Sequence, residues 1–209
     1  MRYAILQKGI SRSFPEGDAF LAGASAAADA EVLICLGAPL PNDAKRAAIL
    51  VELGTECLAD HTGLEAAPAN VLGFARYRNG DDVPSKLVEI VRHGQTSAAA
   101  LDAARAVFAD KSLEVAVCND QVGRIIDRLV RPKYNAALRL LDEGLATQAD
   151  MDLTCKLGLG YPDGPIERVI RGGLANHYDV TSALFDVYGT TAFAPARQAV
   201  VAARRRKAK

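Results

Sequence analysis

No two cysteines stand at the C-x-x-C spacing of a zinc ribbon or a dithiol redox site. Cys35, Cys57, Cys118 and Cys155 are scattered, and Cys35 and Cys118 lie in apolar, strand-like runs. Buried reduced thiols fit this pattern better than disulfides. His61, His93 and His177 also lack ligand spacing, so no metal site is expected. No apolar run approaches the roughly 20 residues of a membrane span. The first residues lack the charged start, apolar middle and cleavage site of a signal peptide. These absences lead us to expect a soluble, cytoplasmic, bacterial-type chain. Neither sign of charge dominates, with 25 acidic and 25 basic residues, so no polyanion or nucleic-acid partner is expected. The basic end, Arg204 to Lys207, reads as a complement to the negative end of a last helix. Low-complexity segments are missing as well.

Half of the 209 residues are hydrophobic, enough for one large core or two smaller ones. Short apolar runs at Tyr3–Leu6, Glu31–Leu36, Glu56–Ala59, Val71–Phe74, Lys86–Val91 and Glu114–Cys118 read as strands. Helices are expected from Ala19 to about Ala28, from a cap at Asn42 or Asp43 to Leu53, and from a cap at Thr96 or Ser97 to Ala109. Alternating strands and helices indicate an α/β layer with a mainly parallel sheet. Strands stop near Asn119 and only helices follow. The expected domains are therefore 1–118, α/β, and 119–209, helical.

The most regular stretch runs from 119 to 173. Apolar residues at Val122, Ile125, Ile126, Leu129, Val130, Tyr134, Ala137, Leu138, Leu141 and Leu145 make one wide stripe on a long helix. Asn119 or Asp120 caps its start, Gly144 marks its end, and Pro132 falls inside it. Thr147 caps a second helix, with Asp150 closing a capping box and Gly158 ending the helix. Residues 160–165, GYPDGP, form a rigid turn that puts Pro165 at the first position of a third helix. Two more helices are expected, from Asn176 to about Tyr188 and from Pro195 to the basic end.

Three pieces of this stretch stand in order. D-x-x-G-x-I-x-(N/D)-R is carried by Asp120, Gly123, Ile125, Asp127 and Arg128. N-x-A-x-x-L-x-x-E-G is carried by Asn135, Ala137, Leu140, Glu143 and Gly144. The third runs from Asp150 and Asp152 through Leu157 and Gly158 to Gly160, Tyr161, Pro162, Gly164 and Pro165. Together they resemble the C-terminal helical domain of the 3-hydroxyacyl-CoA dehydrogenase family. The resemblance reaches back more thinly to about Glu31.

It implies a Rossmann-like domain followed by a helical domain of the 6-phosphogluconate-dehydrogenase C-terminal type. It also implies hydride transfer between an acyl-CoA hydroxyl and NAD, with a histidine as general base and a glutamate orienting it. Carried over residue by residue, the glutamate is Glu89, but Ala75 holds the histidine's place and Gly63 the serine's. Asp127 stands where the family presents an asparagine. His61 lies in the loop that the family places near its active site, either as a substitute base or as a surface histidine. No G-x-G-x-x-G follows the first strand, which is followed by Gln7 to Arg12. About two strands and two helices of a nucleotide-binding domain are missing.

The resemblance thus implies a truncated, degenerate nucleotide half joined to a well-kept helical half. One reading is a non-catalytic protein of fatty-acid or aromatic acyl-CoA degradation, which binds acyl-CoA, dimerises through the helical domain, or partners an intact dehydrogenase. No cofactor is expected under it. The other is an active NAD-dependent 3-hydroxyacyl-CoA dehydrogenase with a rearranged site built on Glu89, Asp127 and His61.

Overall fold

A computed structural model, which describes residues 1–64 and 67–208, divides the chain into two units. The first comprises Met1–Arg78 and Pro84–Arg124. The second comprises Asn79–Val83 and Ile125–Lys209.

In the first unit the apolar runs become β1 (Tyr3–Gln7), β2 (Val32–Leu36), β3 (Ala48–Glu52), β4 (Val71–Arg76), β5 (Leu87–Arg92) and β6 (Glu114–Asn119). They form one sheet in the order β1-β2-β3-β4-β5-β6. β1 to β4 run parallel, β5 turns antiparallel to β4, and β6 runs parallel to β5. Every residue of β2 is buried, as expected of a central strand covered on both faces. On one face lies α3 (Ala98–Ala109), capped by Ser97, whose hydroxyl accepts from Ala100 N at 3.2 Å. It buries Ala100, Ala103, Ala104, Val107 and Phe108, the i, i+3, i+4, i+7, i+8 stripe of a core-facing helix. Tyr3, Phe14, Phe20, Phe74 and Phe108 fill the space beneath it. The other face is filled by Leu33, Cys35, Ile49, Val51, Leu53 and Leu58, among others. Burial pushes the Cys35 thiol up to about 11, so it stays protonated and packs as a small apolar group.

Three expected elements differ. The helix expected up to Leu53 is the strand β3, because the run Ala48–Val51 is wholly buried between β2 and β4. Its expected cap, Asp43, is bound instead by Arg46 at 2.8 Å. The strand expected at Glu56–Ala59 is replaced by the short helix α2 (Ala59–Thr62), because Asp120 accepts from Leu58 N at 2.7 Å and Ala59 N at 2.9 Å. The helix expected from Ala19 stops at Ala22 (α1), where Phe20 O accepts from the buried Tyr3 hydroxyl at 2.5 Å.

The second unit consists of α4 (Ile125–Asp142), α5 (Gln148–Leu159), α6 (Pro165–Arg171), α7 (Leu174–Tyr188) and α8 (Arg197–Lys207). Asn119 and Asp120 do not cap α4. Asp120 serves α2, and Gly123 N is held by Thr55 O at 2.7 Å, so the first unit keeps the chain as far as Arg124. Pro132 lies inside α4 as expected. Of the stripe on α4, Tyr134, Ala137 and Leu138 are buried against Ile166, Val169 and Ala196. Ile125, Leu129 and Leu145 stay exposed.

Thr147 and Asp150 form the expected cap of α5, with Thr147 Oγ1 accepting from Asp150 N at 3.2 Å. The helix continues past Gly158 and ends at Gly160, which takes the left-handed conformation at φ 68°. Asp152, from the middle of α5, caps the next helix by accepting from Ile166 N at 2.8 Å and Glu167 N at 3.0 Å. A Cβ on Gly164 would overlap the Asp152 side chain, so the GYPDGP turn needs glycine there. The excursion Asn79–Val83 packs on α6, with Asn79 Nδ2 donating to Arg168 O at 3.1 Å and Asp82 paired to Arg171 at 3.0 Å.

Candidate functional site

In open α/β sheets ligands lie outside the carboxyl ends of the parallel strands, at a point where the strand order reverses. A pyrophosphate there rests on a glycine turn that leads directly into a helix N-terminus. The four parallel strands here follow one another in sequence order, with no reversal. The first helix after β1 does not begin until Ala19, and it is four residues long. Its N-cap, Asp18, already places a carboxylate there, accepting from Phe20 N at 2.9 Å.

The chain's own segment Ser11–Phe14 lies at the carboxyl ends of β3 and β4. Glu52, the last residue of β3, accepts from Ser11 Oγ and from Ser13 N, both at 2.8 Å. Ser13 Oγ accepts from Arg76 N, at the end of β4, at 3.1 Å. Arg76 then pairs with Asp18 at 2.7 Å and stands over the Phe14 ring at 5.4 Å. Phe14 is fully buried and stacks on Phe20 with ring centroids 4.1 Å apart. Sequence spacing does not bring Ser11, Ser13, Glu52 and Arg76 together. For Ser11 and Ser13 the only sequence signal is their position beside Phe14 in a presumed loop, and Glu52 and Arg76 carry none.

Glu89 is buried in the middle of β5. Its register partners are Ala75 on β4 and Ala116 on β6. Directly opposed antiparallel residues have Cβ atoms about 4.5–5.5 Å apart, so position 75 lies beside this carboxylate. His61 sits in the last turn of α2, and its carboxylate neighbour is Glu56, at 3.6 Å. Gly63 ends that helix at φ 77°, a conformation unfavourable to the serine whose place it holds.

Asp127 belongs to the second unit, near the start of α4. It pairs with Arg131 one turn on, at 2.8 Å, and both side chains are largely buried. Arg131 Nη1 reaches His177 Nδ1 at 3.5 Å. His177 Nε2 meets Asn135 Oδ1 at 2.9 Å. Asn135 spends its amide protons on Thr181 Oγ1 and Ala192 O, at 2.8 and 3.0 Å. Its Oδ1 is therefore an acceptor, His177 carries its proton on Nε2, and Nδ1 accepts from Arg131. Burial, and then the Arg131 charge, push His177 down to about 3, so it is neutral. The structure thus gives Asp127 a partner at i, i+4 spacing and a packing role. Among the described residues no cluster of three or more metal-ligating side chains occurs.

The two units define a class: a Rossmann-like α/β domain and a helical domain. Residues 123–209 match the family described as 3-hydroxyacyl-CoA dehydrogenase, C-terminal domain. The chain is 36% identical over 126 residues to a mitochondrial hydroxyacyl-coenzyme A dehydrogenase of Sus scrofa, covering 60% of this chain and 39% of that one. It is 40% identical over 82 residues to a probable 3-hydroxyacyl-CoA dehydrogenase of Caenorhabditis elegans, covering 39% and 26%. In fold it is similar to FadB2 of M. tuberculosis (TM-score 0.73, 19% identity, 85% of this chain and 66% of that one). It is also similar to the (S)-3-hydroxybutyryl-CoA dehydrogenase PaaH1 of Ralstonia eutropha (TM-score 0.70, 19% identity, 84% and 66%). The helical part, residues 123–209, is thus similar to the C-terminal domain of the 3-hydroxyacyl-CoA dehydrogenase family. The chain's alignments span only 26% to 39% of the length of these two curated relatives.

Proposed function

We propose that this chain is a non-catalytic member of the 3-hydroxyacyl-CoA dehydrogenase family, serving acyl-CoA metabolism through its helical domain by binding acyl-CoA or by pairing. One observation carries the reading: the carboxyl ends of β3 and β4 are bound by the chain's own Ser11–Phe14 segment. The lack, among the described residues, of a reversal of strand order or of a helix leading directly from β1 supports this, since a pyrophosphate rests on backbone N–H groups of such a turn. The residues do not fit a dinucleotide, and no reaction step is assigned to one.

The exposed Ile125 and Leu129, one turn apart on α4, support pairing of two copies through the helical domain, since exposed apolar neighbours of this kind are ordinarily covered. Light scattering at micromolar concentration tests the pairing, and a strict monomer contradicts it.

Glu89 favours the second reading, an active dehydrogenase, because it is buried beside the position where the family has its histidine. An assay of NADH consumption with acetoacetyl-CoA separates the two. Background turnover, unchanged by Glu89→Gln, is the expected result. Robust turnover abolished by Glu89→Gln establishes the enzyme.

A further inference from the structure

The two edges of the sheet are finished differently. At β1, the carbonyl of Tyr3 accepts from Ser25 N at 2.8 Å, so a following segment already binds part of that edge. At β6, Glu114 N donates to Lys86 O at 2.9 Å and Asp120 N to Arg92 O at 2.8 Å. Because groups alternate along a strand, Glu114, Ala116, Cys118 and Asp120 point at β5, while Val115, Val117 and Asn119 point outward. The run Val115–Cys118 is apolar and half-buried throughout, in a sheet whose inner strands are otherwise almost wholly buried. It carries none of the usual edge protection: no lysine, no proline, no bulge.

We propose that β6 pairs antiparallel with β6 of a second copy of this chain, about a two-fold axis at Ala116. The strand is self-complementary in that register. Val115 of one copy and Val117 of the other exchange both outward N–H and C=O groups, and the two Ala116 residues form the close, non-hydrogen-bonded pair on the axis. Glu114 then stands opposite Cys118 of the second copy. Centring one residue later, on Val117, would set Glu114 against Asp120, and like charges directly opposed are unfavourable. Charge therefore favours the Ala116 register over the Val117 one. This interface is separate from any pairing through the helical domain.

Cysteine trapping tests the proposal. The non-hydrogen-bonded pair brings the two Cα atoms within disulfide reach. Under mild oxidation Ala116→Cys should form a 116–116 linked dimer, identified by peptide mass, while Val117→Cys should link at least tenfold less. Val117→Pro supplies an independent measurement. Its N–H points away from β5, so the β5–β6 ladder survives and only the outer edge is blocked. Light scattering should show Val117→Pro to be smaller than wild type by one pairing step, with unchanged circular dichroism. The proposal is overturned if folded Ala116→Cys stays unlinked, if Val117→Cys links as well, or if folded Val117→Pro keeps the wild-type mass. If Val117→Pro unfolds, the trapping result alone decides.

Discussion

Ala75 and Glu89 face each other across the antiparallel β4–β5 ladder. The family resemblance assigns a base and its orienting carboxylate to these positions, and the register sets them side by side. Ala75→His therefore returns an imidazole to the neighbourhood of Glu89 without adding a place for a dinucleotide. NADH consumption with acetoacetyl-CoA should stay at background in this variant. A gain of the 10²-fold or more typical of a restored general base would mean that everything else in the site is functional.

Arg131 is held by Asp127 in a largely buried ion pair. Removing one partner of such a pair leaves an uncompensated charge, typically costing 3–5 kcal/mol. Asp127→Ala should lower stability in urea by an amount of that order, and Asp127→Asn by less, because the amide still accepts a hydrogen bond. Equal stability of wild type and Asp127→Ala would remove the packing role assigned here.

His177 gives the protein a pH dependence. Its folded value, about 3, lies below the ordinary 6.5, so between these limits the unfolded chain binds a proton that the folded chain refuses. The stability it contributes is present above pH about 6.5 and is lost as pH falls toward 3, at up to about 1.4 kcal/mol per pH unit. Denaturant midpoints measured at intervals from pH 7 to pH 4 should fall more steeply for wild type than for His177→Gln. Parallel curves would contradict the assignment.

Much of the fold was legible from particular residues. Ser97 (one of the two expected caps), Thr147 and Pro165 mark helix starts by local chemistry, and the structure uses each. The departures share a cause. The segment 48–52 has helix-compatible flanks, and only pairing with β2 and β4 makes it a strand. Asp120 is a sound N-cap, yet it caps a helix some 60 residues earlier in the chain, a partner that sequence spacing cannot show. The same holds for Glu52, whose bonds to Ser11 and Ser13 span about 40 residues. Local signals were readable, whereas polar bonds formed across the fold were not.

Phe14 is the apolar anchor of the segment at the carboxyl ends, stacked on Phe20 and packed near Phe74 and Phe108. Phe14→Ala should cost about 3–5 kcal/mol, the usual range for emptying a buried phenylalanine site. Urea unfolding of the purified variant reads this directly. A loss below about 1 kcal/mol would show that the segment is not anchored in the core.

We propose that the sheet offers no dinucleotide site, the carboxyl ends of β3 and β4 being bound by the chain's own Ser11–Phe14 segment. Calorimetric titration of the purified protein with NADH tests it most directly, with an intact 3-hydroxyacyl-CoA dehydrogenase as positive control. The expected result is no heat of binding above dilution for wild type. A saturable NADH isotherm with a micromolar dissociation constant would contradict the account.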